Sequence, residues 1–199
     1  MLIGSTDERE VKRLFDSLKE EFELTCLGEV RHFLGMEVQR KDGVYRIRLQ
    51  NYIENMVAKF GMEHAKTAKS PMEPGFLKTD DSGEAFEDSS KYRSLVGGLL
   101  YIAVNARPDI AACTAILGRK FSAPGEADWN AAKRVLRYLK TTAAYSLQLG
   151  GEPEQALIGY ADSDWAGDVG SRKSTSGFVF SYAGGVISWA SRRQTSVTL

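Results

Sequence analysis

The chain has 199 residues, 43% of them hydrophobic and 26% charged, with 26 basic and 26 acidic side chains; these totals suit a soluble globular protein and name no class. Cys26 and Cys113 are far apart, and His32 and His64 lack Cys or acidic partners at ligand spacing, which argues against a disulfide scaffold or a zinc site. No apolar run approaches the ~20 residues of a membrane span and Met1-Leu2-Ile3-Gly4 is too short for a leader, so no membrane partner is expected and the chain is read as intracellular, cytoplasm or nucleus undecided.

The neutral total hides an uneven distribution. Residues 1–90 carry 13 Lys/Arg against 18 Asp/Glu, residues 91–145 carry 9 against 3, and residues 146–199 carry 4 against 5. The positive charge is in the middle of the chain, where a polyanion would find it.

In chain order, Ser5 and Glu8 stand at capping-box spacing, and Val11, Leu14, Phe15, Leu18 and Phe22 repeat on one face, predicting a helix over residues 6–23. A strand over Arg31–Arg40 follows the Leu27-Gly28-Glu29 turn. Asp42-Gly43 joins it to Val44–Leu49, in which Val44, Arg46 and Arg48 alternate with Tyr45, Ile47 and Leu49. One face of that hairpin is apolar and the other partly basic. Residues 51–60 read as a helix closed by Gly61. The stretch 66–90, rich in Ser, Pro, Gly and acids, reads as a connector, with Asp80-Asp81 in a solvated loop.

From Tyr92 the helical period returns. Leu95, Leu99, Leu100, Ile102 and Ala103 mark one helix whose Gly97-Gly98 pair allows close packing, and Arg107-Pro108-Asp109 ends it. Ile110, Cys113, Ile116, Leu117 and Phe121 mark a second, broken at Pro124-Gly125. Residues 127–140 form a third, with Trp129, Ala132, Val135, Leu136 and Leu139 inward. Lys133, Arg134, Arg137 and Lys140 run along one edge of this third helix, a spacing that suits duplex phosphates and equally suits a solvated helix face. No phosphate-cradling glycine loop, Ser-His-Asp constellation or internal repeat is present.

After Gly150-Gly151-Glu152-Pro153, taken as a linker, Leu157-Ile158-Gly159-Tyr160 reads as a short buried strand that delivers Asp162 to its end. Residues 172–191 read as strand, Gly184-Gly185 turn and strand. An Asp after a strand suits either a hard divalent cation or an ordinary turn.

The run Tyr160-Ala161-Asp162-Ser163-Asp164-Trp165-Ala166-Gly167, with Arg172-Lys173-Ser174-Thr175-Ser176-Gly177 and Ile187-Ser188-Trp189, resembles the opening of the ribonuclease H domain in copia-type retrotransposon Pol polyproteins. Phe33-Leu34-Gly35-Met36-Glu37-Val38 and its return strand resemble the end of the same family's reverse transcriptase palm, where the hairpin holds the primer. Tyr92 to Tyr101, Arg107-Pro108-Asp109-Ile110 and Leu136-Arg137-Tyr138-Leu139-Lys140 resemble its thumb and connection.

The resemblance implies an α+β chain with four parts. Residues 1–65 would be the palm end with its primer-grip-like hairpin, 66–90 a connector, 91–149 a helical thumb/connection bundle, and 150–199 an incomplete ribonuclease H-like sheet. It implies an RNA–DNA hybrid or DNA duplex as partner, contacts from Phe33, Leu34, Gly35, Met36, Lys133, Arg134, Arg137 and Lys140, and Mg²⁺ as the parent family's cofactor. Asp162 would be the catalytic carboxylate and metal ligand, with Asp164 in a turn or supporting place. The family's Tyr-x-Asp-Asp motif and later ribonuclease H carboxylates have no counterpart in these 199 residues, and one carboxylate cannot hold a two-metal centre. The expectation is a chain that contacts duplex but is catalytically incomplete alone, the alternatives being a non-catalytic binding or interaction module and a gene remnant. An incomplete sheet would also leave the strand near Leu199 as an open edge prone to self-association.

Overall fold

The computed structural model describes residues 1–76, 83–151, 156–165, 167–168 and 172–197; Asp80-Asp81, Glu152-Pro153 of the expected linker and Leu199 lie outside them. The fold is α+β, with helices α1 (Glu8–Lys19), α2 (Gln50–Lys59), α3 (Ser89–Asn105), α4 (Ala111–Gly118) and α5 (Glu126–Thr141). One sheet has the order β1 (His32–Phe33), β2 (Met36–Lys41), β3 (Val44–Arg48) and β4 (Leu147–Leu149). A second has the order β5 (Leu157–Ser163), β6 (Thr175–Tyr182) and β7 (Gly185–Arg193), and all pairs in both sheets are antiparallel.

The core belongs to α2 through α5. Tyr92, Leu95, Val96, Leu99 and Ile102 of α3 meet Leu117 of α4, Val135, Leu136 and Leu139 of α5, and Ile53 of α2. These are the apolar positions that helical spacing singles out, and their burial is the main favourable term in this half of the chain. Gly98 earns its place by packing: a Cβ there would lie 2.7 Å from the Sδ of Met56, whereas at Gly97 it would meet open space. α5 is entered through Gly125, whose N–H donates to Asp128 Oδ2 at 2.9 Å, and Trp129 stacks on Phe86 at 4.8 Å between ring centroids.

Several expectations need correction. The first helix is shorter than residues 6–23, and Asp7 rather than Ser5 caps it, accepting from the Arg9 N–H at 2.9 Å while Ser5 turns its hydroxyl to Glu10. Its apolar stripe exists, yet α1 buries no residue, and Leu14 and Phe22 are exposed because no described element folds over them. Residues 31–40 are not one strand. Leu34 and Gly35, at φ 48° and 78°, form a two-residue turn between β1 and β2 of the kind that matches strand twist. The helical segment ends by returning to the first hairpin, with Leu147 opposite Ile47 and Leu149 opposite Tyr45. The expected units 1–65 and 91–149 therefore share a sheet as well as a core.

The second sheet is built differently. Its β6–β7 turn is Ala183-Gly184, both at positive φ, and Gly185 already belongs to β7, where a Cβ would lie 2.7 Å from the Gln148 carbonyl oxygen of β4. β5, read from sequence as buried, is exposed at all seven positions. It is an edge strand carrying apolar residues with nothing described on its outer side, and its composition alone could not disclose that.

Candidate nucleic-acid interface

The hairpin tip is held from behind. Tyr101 of α3 donates its hydroxyl proton to the Leu34 carbonyl, and its ring lies 4.7 Å from that of Tyr52 on α2. Met36 packs against the core and Phe33 is half-buried, whereas Leu34 at the tip is 70% exposed and Gly35 provides the left-handed turn that a side chain would strain. Of the four hairpin residues singled out by sequence, Met36 anchors, Phe33 is half-buried, Gly35 turns the chain and Leu34 is presented to solvent.

Beside this tip, the outer face of the first sheet forms a cleft of about 380 Å³ lined by Arg31, His32, Gln39, Arg46, Arg48 and Ser146, among others. Strand alternation explains it. Met36, Ile47 and Leu147 point to the core, so Glu37, Gln39, Arg46, Arg48 and Gln148 share the opposite face. Arg48 Nε donates to Glu37 Oε2 at 2.9 Å, and the other carboxylate oxygen accepts from the Asn51 N–H at 3.1 Å. Arg31 and Arg46 have no ion-pair partner among the described residues. The sequence signal was the basic half of the β3 alternation, but the cleft depends on β4 and the Arg31 segment arriving beside it.

The α5 cations are largely occupied by the chain itself. Arg134 pairs with Glu73 and donates to Ser70 Oγ at 3.0 Å, and Lys140 donates to the carbonyls of Glu63 and Ala65. Lys133 lies over the Trp129 ring at 5.4 Å, and the Nε atoms of Arg134 and Arg137 are buried without a hydrogen-bond partner. The stripe thus ties residues 63–73 to α5. What remains open to a phosphate is chiefly the ammonium of Lys133 and the outer edge of Arg137.

Asp162 stands at the end of β5, its Oδ1 accepting from the Ser163 N–H at 2.8 Å. Asp164 Oδ1 accepts from the Thr175 N–H at 2.7 Å, and Asp168 Oδ2 meets Arg193 Nη1 at 3.0 Å and Arg119 Nη1 at 3.6 Å. The neighbouring carboxylates are thereby turned to the backbone or to arginines. Among the described residues no group of three or more His, Cys, Asp or Glu could hold a metal ion. This donor set does not fit a Mg²⁺ pair, which needs clustered carboxylates.

The Arg107 network carries a signal in the sequence, Arg107-Pro108-Asp109, but that run reads equally as a helix boundary. Arg107 is 3% exposed. Its Nε and Nη2 donate to the two Asp109 carboxylate oxygens at 2.9 and 2.7 Å, Nη1 and Nη2 reach the Thr142 carbonyl and hydroxyl, and Tyr138 donates to Asp109 Oδ2 at 2.8 Å. Burial alone would raise the Asp109 pKa, but the hydrogen bonds and charge of Arg107, with Tyr138, outweigh it and hold the carboxyl below its ordinary value. This is a brace between the ends of α3 and α5 in which each guanidinium nitrogen of Arg107 has a partner.

Residues 1–74 match the sequence model of the family described as reverse transcriptase (RNA-dependent DNA polymerase). The whole chain is 36% identical over 208 aligned positions to the retrovirus-related Pol polyprotein from transposon TNT 1-94 of Nicotiana tabacum, of which it spans 16%. It is 47% identical over 108 positions to the secreted RxLR effector protein 161 of Plasmopara viticola, an alignment covering 54% of this chain and 76% of that protein. It is 32% identical to an uncharacterized mitochondrial protein of Arabidopsis thaliana, over 100% of this chain and 81% of that one. No solved structure matches the chain. Among the described residues no helix is long and apolar enough to cross a membrane.

Proposed function

The chain belongs to the copia-type retrotransposon Pol polyprotein family as a reverse transcriptase-related segment, and from that premise we propose that it holds an RNA–DNA hybrid or DNA duplex without performing chemistry alone. The observation that carries the reading is the hairpin tip braced by Tyr101, with Leu34 exposed beside the arginine-lined cleft. A rigid tip with unpaired guanidiniums next to it can fix a strand's position, because phosphate contacts position a duplex without reading its sequence. Leu34 would lie against the sugar edge, with Arg31 and Arg46 on phosphates. Lys133 and Arg137 would contribute from α5, with Arg134 and Lys140 held back by residues 63–73.

Residues 150–199 are, in this proposal, the opening of a ribonuclease H-like sheet, and Mg²⁺-dependent cleavage would need carboxylates beyond Asp162. A second reading, a free-standing binding module, draws support from two relatives of which the alignments cover 76% and 81%.

The test is a titration against a labelled RNA–DNA hybrid and duplex DNA at two salt concentrations with Mg²⁺ present, cleavage being followed in the same samples. Salt-sensitive binding without cleavage is expected. Replacing both Arg31 and Arg46 by Ala should lower the steepness of log K against log salt by about 2, since each phosphate contact contributes roughly 0.9. The same loss from Lys133→Ala with Arg137→Ala, and none from the cleft pair, would move the interface to α5. Cleavage abolished by Asp162→Asn would overturn the non-catalytic part.

A further inference from the structure

The two α5 cations tied to residues 63–73 are tied in different ways. Lys140 donates to main-chain carbonyls, those of Glu63 and Ala65. Arg134 is held by side chains: Nη1 pairs with Glu73 Oε1, and Nη2 donates to Ser70 Oγ at 3.0 Å. The main chain that carries these groups is fixed, because Met62 and Ala68 are buried and Met72 packs against the core. Lifting it would expose that apolar surface, so Lys140 stays where it is. Glu73 is less constrained. Its side chain is 63% exposed, against 21% for Arg134, and rotation of the Glu73 side chain alone breaks the pair.

The pair is also incompletely matched. Glu73 meets the guanidinium at Nη1, while Nε of Arg134 is buried without a hydrogen-bond partner, as is Nε of Arg137 three residues on. An ion pair with one partner in solvent contributes little, since water and salt compete for its charges. A backbone phosphate presents several acceptor oxygens to the planar fork of an arginine, and such charge-assisted pairs are among the stronger hydrogen bonds. Lys133 and Arg137, on the same helix, have no ion-pair partner among the described residues.

We propose that Glu73 is an internal competitor for nucleic acid: its carboxylate occupies on Arg134 the position a backbone phosphate would take, and so limits the affinity of α5 for a duplex. This rests on the duplex-binding reading and adds the control on that site. Arg137 is the helix-surface neighbour of Lys133 at i, i+4 and of Arg134 at i, i+3. With Glu73 turned away, the three therefore form one continuous cationic surface. With Glu73 in place, one of the three is neutralised and a carboxylate stands beside the other two, where it repels an incoming phosphate. Lys140, bound by carbonyls on a fixed main chain, takes no part in the exchange.

The test uses the full chain and the labelled RNA–DNA hybrid, titrated at two salt concentrations. Glu73→Gln keeps the side chain's shape and removes its charge. It should tighten binding about two- to fivefold at low salt, the range set by one exposed ion pair, and steepen log K against log salt by about 0.9 as one phosphate contact is added. Glu73→Ala, which leaves no amide to hold Arg134, should do the same, with the circular dichroism spectrum unchanged in both. Glu63→Gln removes the same charge from the same segment, but its carboxylate has no ion-pair partner among the described residues, and it should change affinity far less. Arg134→Ala should cost more affinity in the Glu73→Gln background than in the native chain, the sign of a coupled pair. Equal tightening by Glu63→Gln and Glu73→Gln overturns the proposal, because net charge alone then accounts for the gain. Native-strength binding by both Glu73 variants overturns it too, and leaves the duplex-binding reading standing. If the native chain and every variant fail to bind at low salt, both readings are overturned together.

Discussion

The helical body and the β5–β7 sheet divide the chain's stability unequally. In the body, residues from four helices are sealed from water, among them Tyr92, Leu99, Ile102, Leu117, Leu136 and Leu139. In the sheet, by contrast, Ser174 and Gly185 are the only buried residues of the described stretch 172–197, and Leu157, Ile158, Tyr160, Phe180, Tyr182 and Ile187 are exposed. The sheet has a ladder of backbone hydrogen bonds, irregular at Phe180/Ser181, but little apolar burial behind it. Ladder bonds contribute modestly in net terms because water competes for them, whereas burial does most of the stabilising. The body should therefore fold by itself, and the sheet should persist through its contacts with the body.

The largest effect expected from that contrast is in the core. Leu136→Ala should cost about 2–5 kcal/mol in urea unfolding, while Ile187→Ser on the sheet should stay within about 0.5 kcal/mol. Equal losses would mean that the two regions form one cooperative unit. Next is Arg107→Ala, which leaves the half-buried Asp109 carboxylate with Tyr138 and water and removes the bonds to Thr142, and should cost about 1–2 kcal/mol. Asp109 also gives the body a pH signature. Its folded pKa is depressed, so its contribution is present above the unfolded value of about 3.9 and is lost as pH falls through the folded value. Acid unfolding followed by helical circular dichroism should be steeper for the native chain than for Asp109→Asn below about pH 4, and matching profiles would remove Asp109 from the explanation.

The same contrast marks what the sequence could disclose. The apolar period of α3, α4 and α5 is visible because a helix that buries one face must repeat it, and the Asp42-Gly43 turn is visible because its backbone demands those residues. The Leu34-Gly35 turn was missed because leucine seldom takes positive φ and the apolar residues around it read as a continuous strand. β4 escaped because its partner β3 lies about a hundred residues earlier, and three residues carry no signal of such a pairing. At the candidate interface, helical spacing puts Lys133, Arg134, Arg137 and Lys140 along α5. Spacing is silent on Glu73, Ser70 and the Glu63 carbonyl, which come from another segment and occupy two of those cations.

The joint between the regions should give the smaller effects. Trp189 Nε1–H donates to the Ala103 carbonyl at 2.8 Å, tying β7 to the end of α3. Trp189→Phe keeps most of the ring and removes the donor, so about 1 kcal/mol should be lost. The loss should appear as faster exchange of the β6 and β7 amides, with the urea midpoint of the helices little changed.

Asp168→Asn should have the smallest effect and the most specific signature. Asp168 lies between Arg193 at 3.0 Å and Arg119 at 3.6 Å, and Arg119 also donates to Thr175 Oγ1 at 3.0 Å. Burial lowers the Arg119 pKa, Asp168 opposes that shift and Arg193 adds to it, so the carboxylate keeps two cations compatible at the joint. Because these groups are partly exposed, the loss should be about 1 kcal/mol or less. Salt separates this from the Trp189 contact. Raising ionic strength should speed sheet exchange in the native chain and in Trp189→Phe, but have little effect in Asp168→Asn, where the screened attraction is already gone. If Asp168→Asn keeps the native salt response, the joint is held by Trp189 and the Gly185 approach to β4, and the arginines are bystanders.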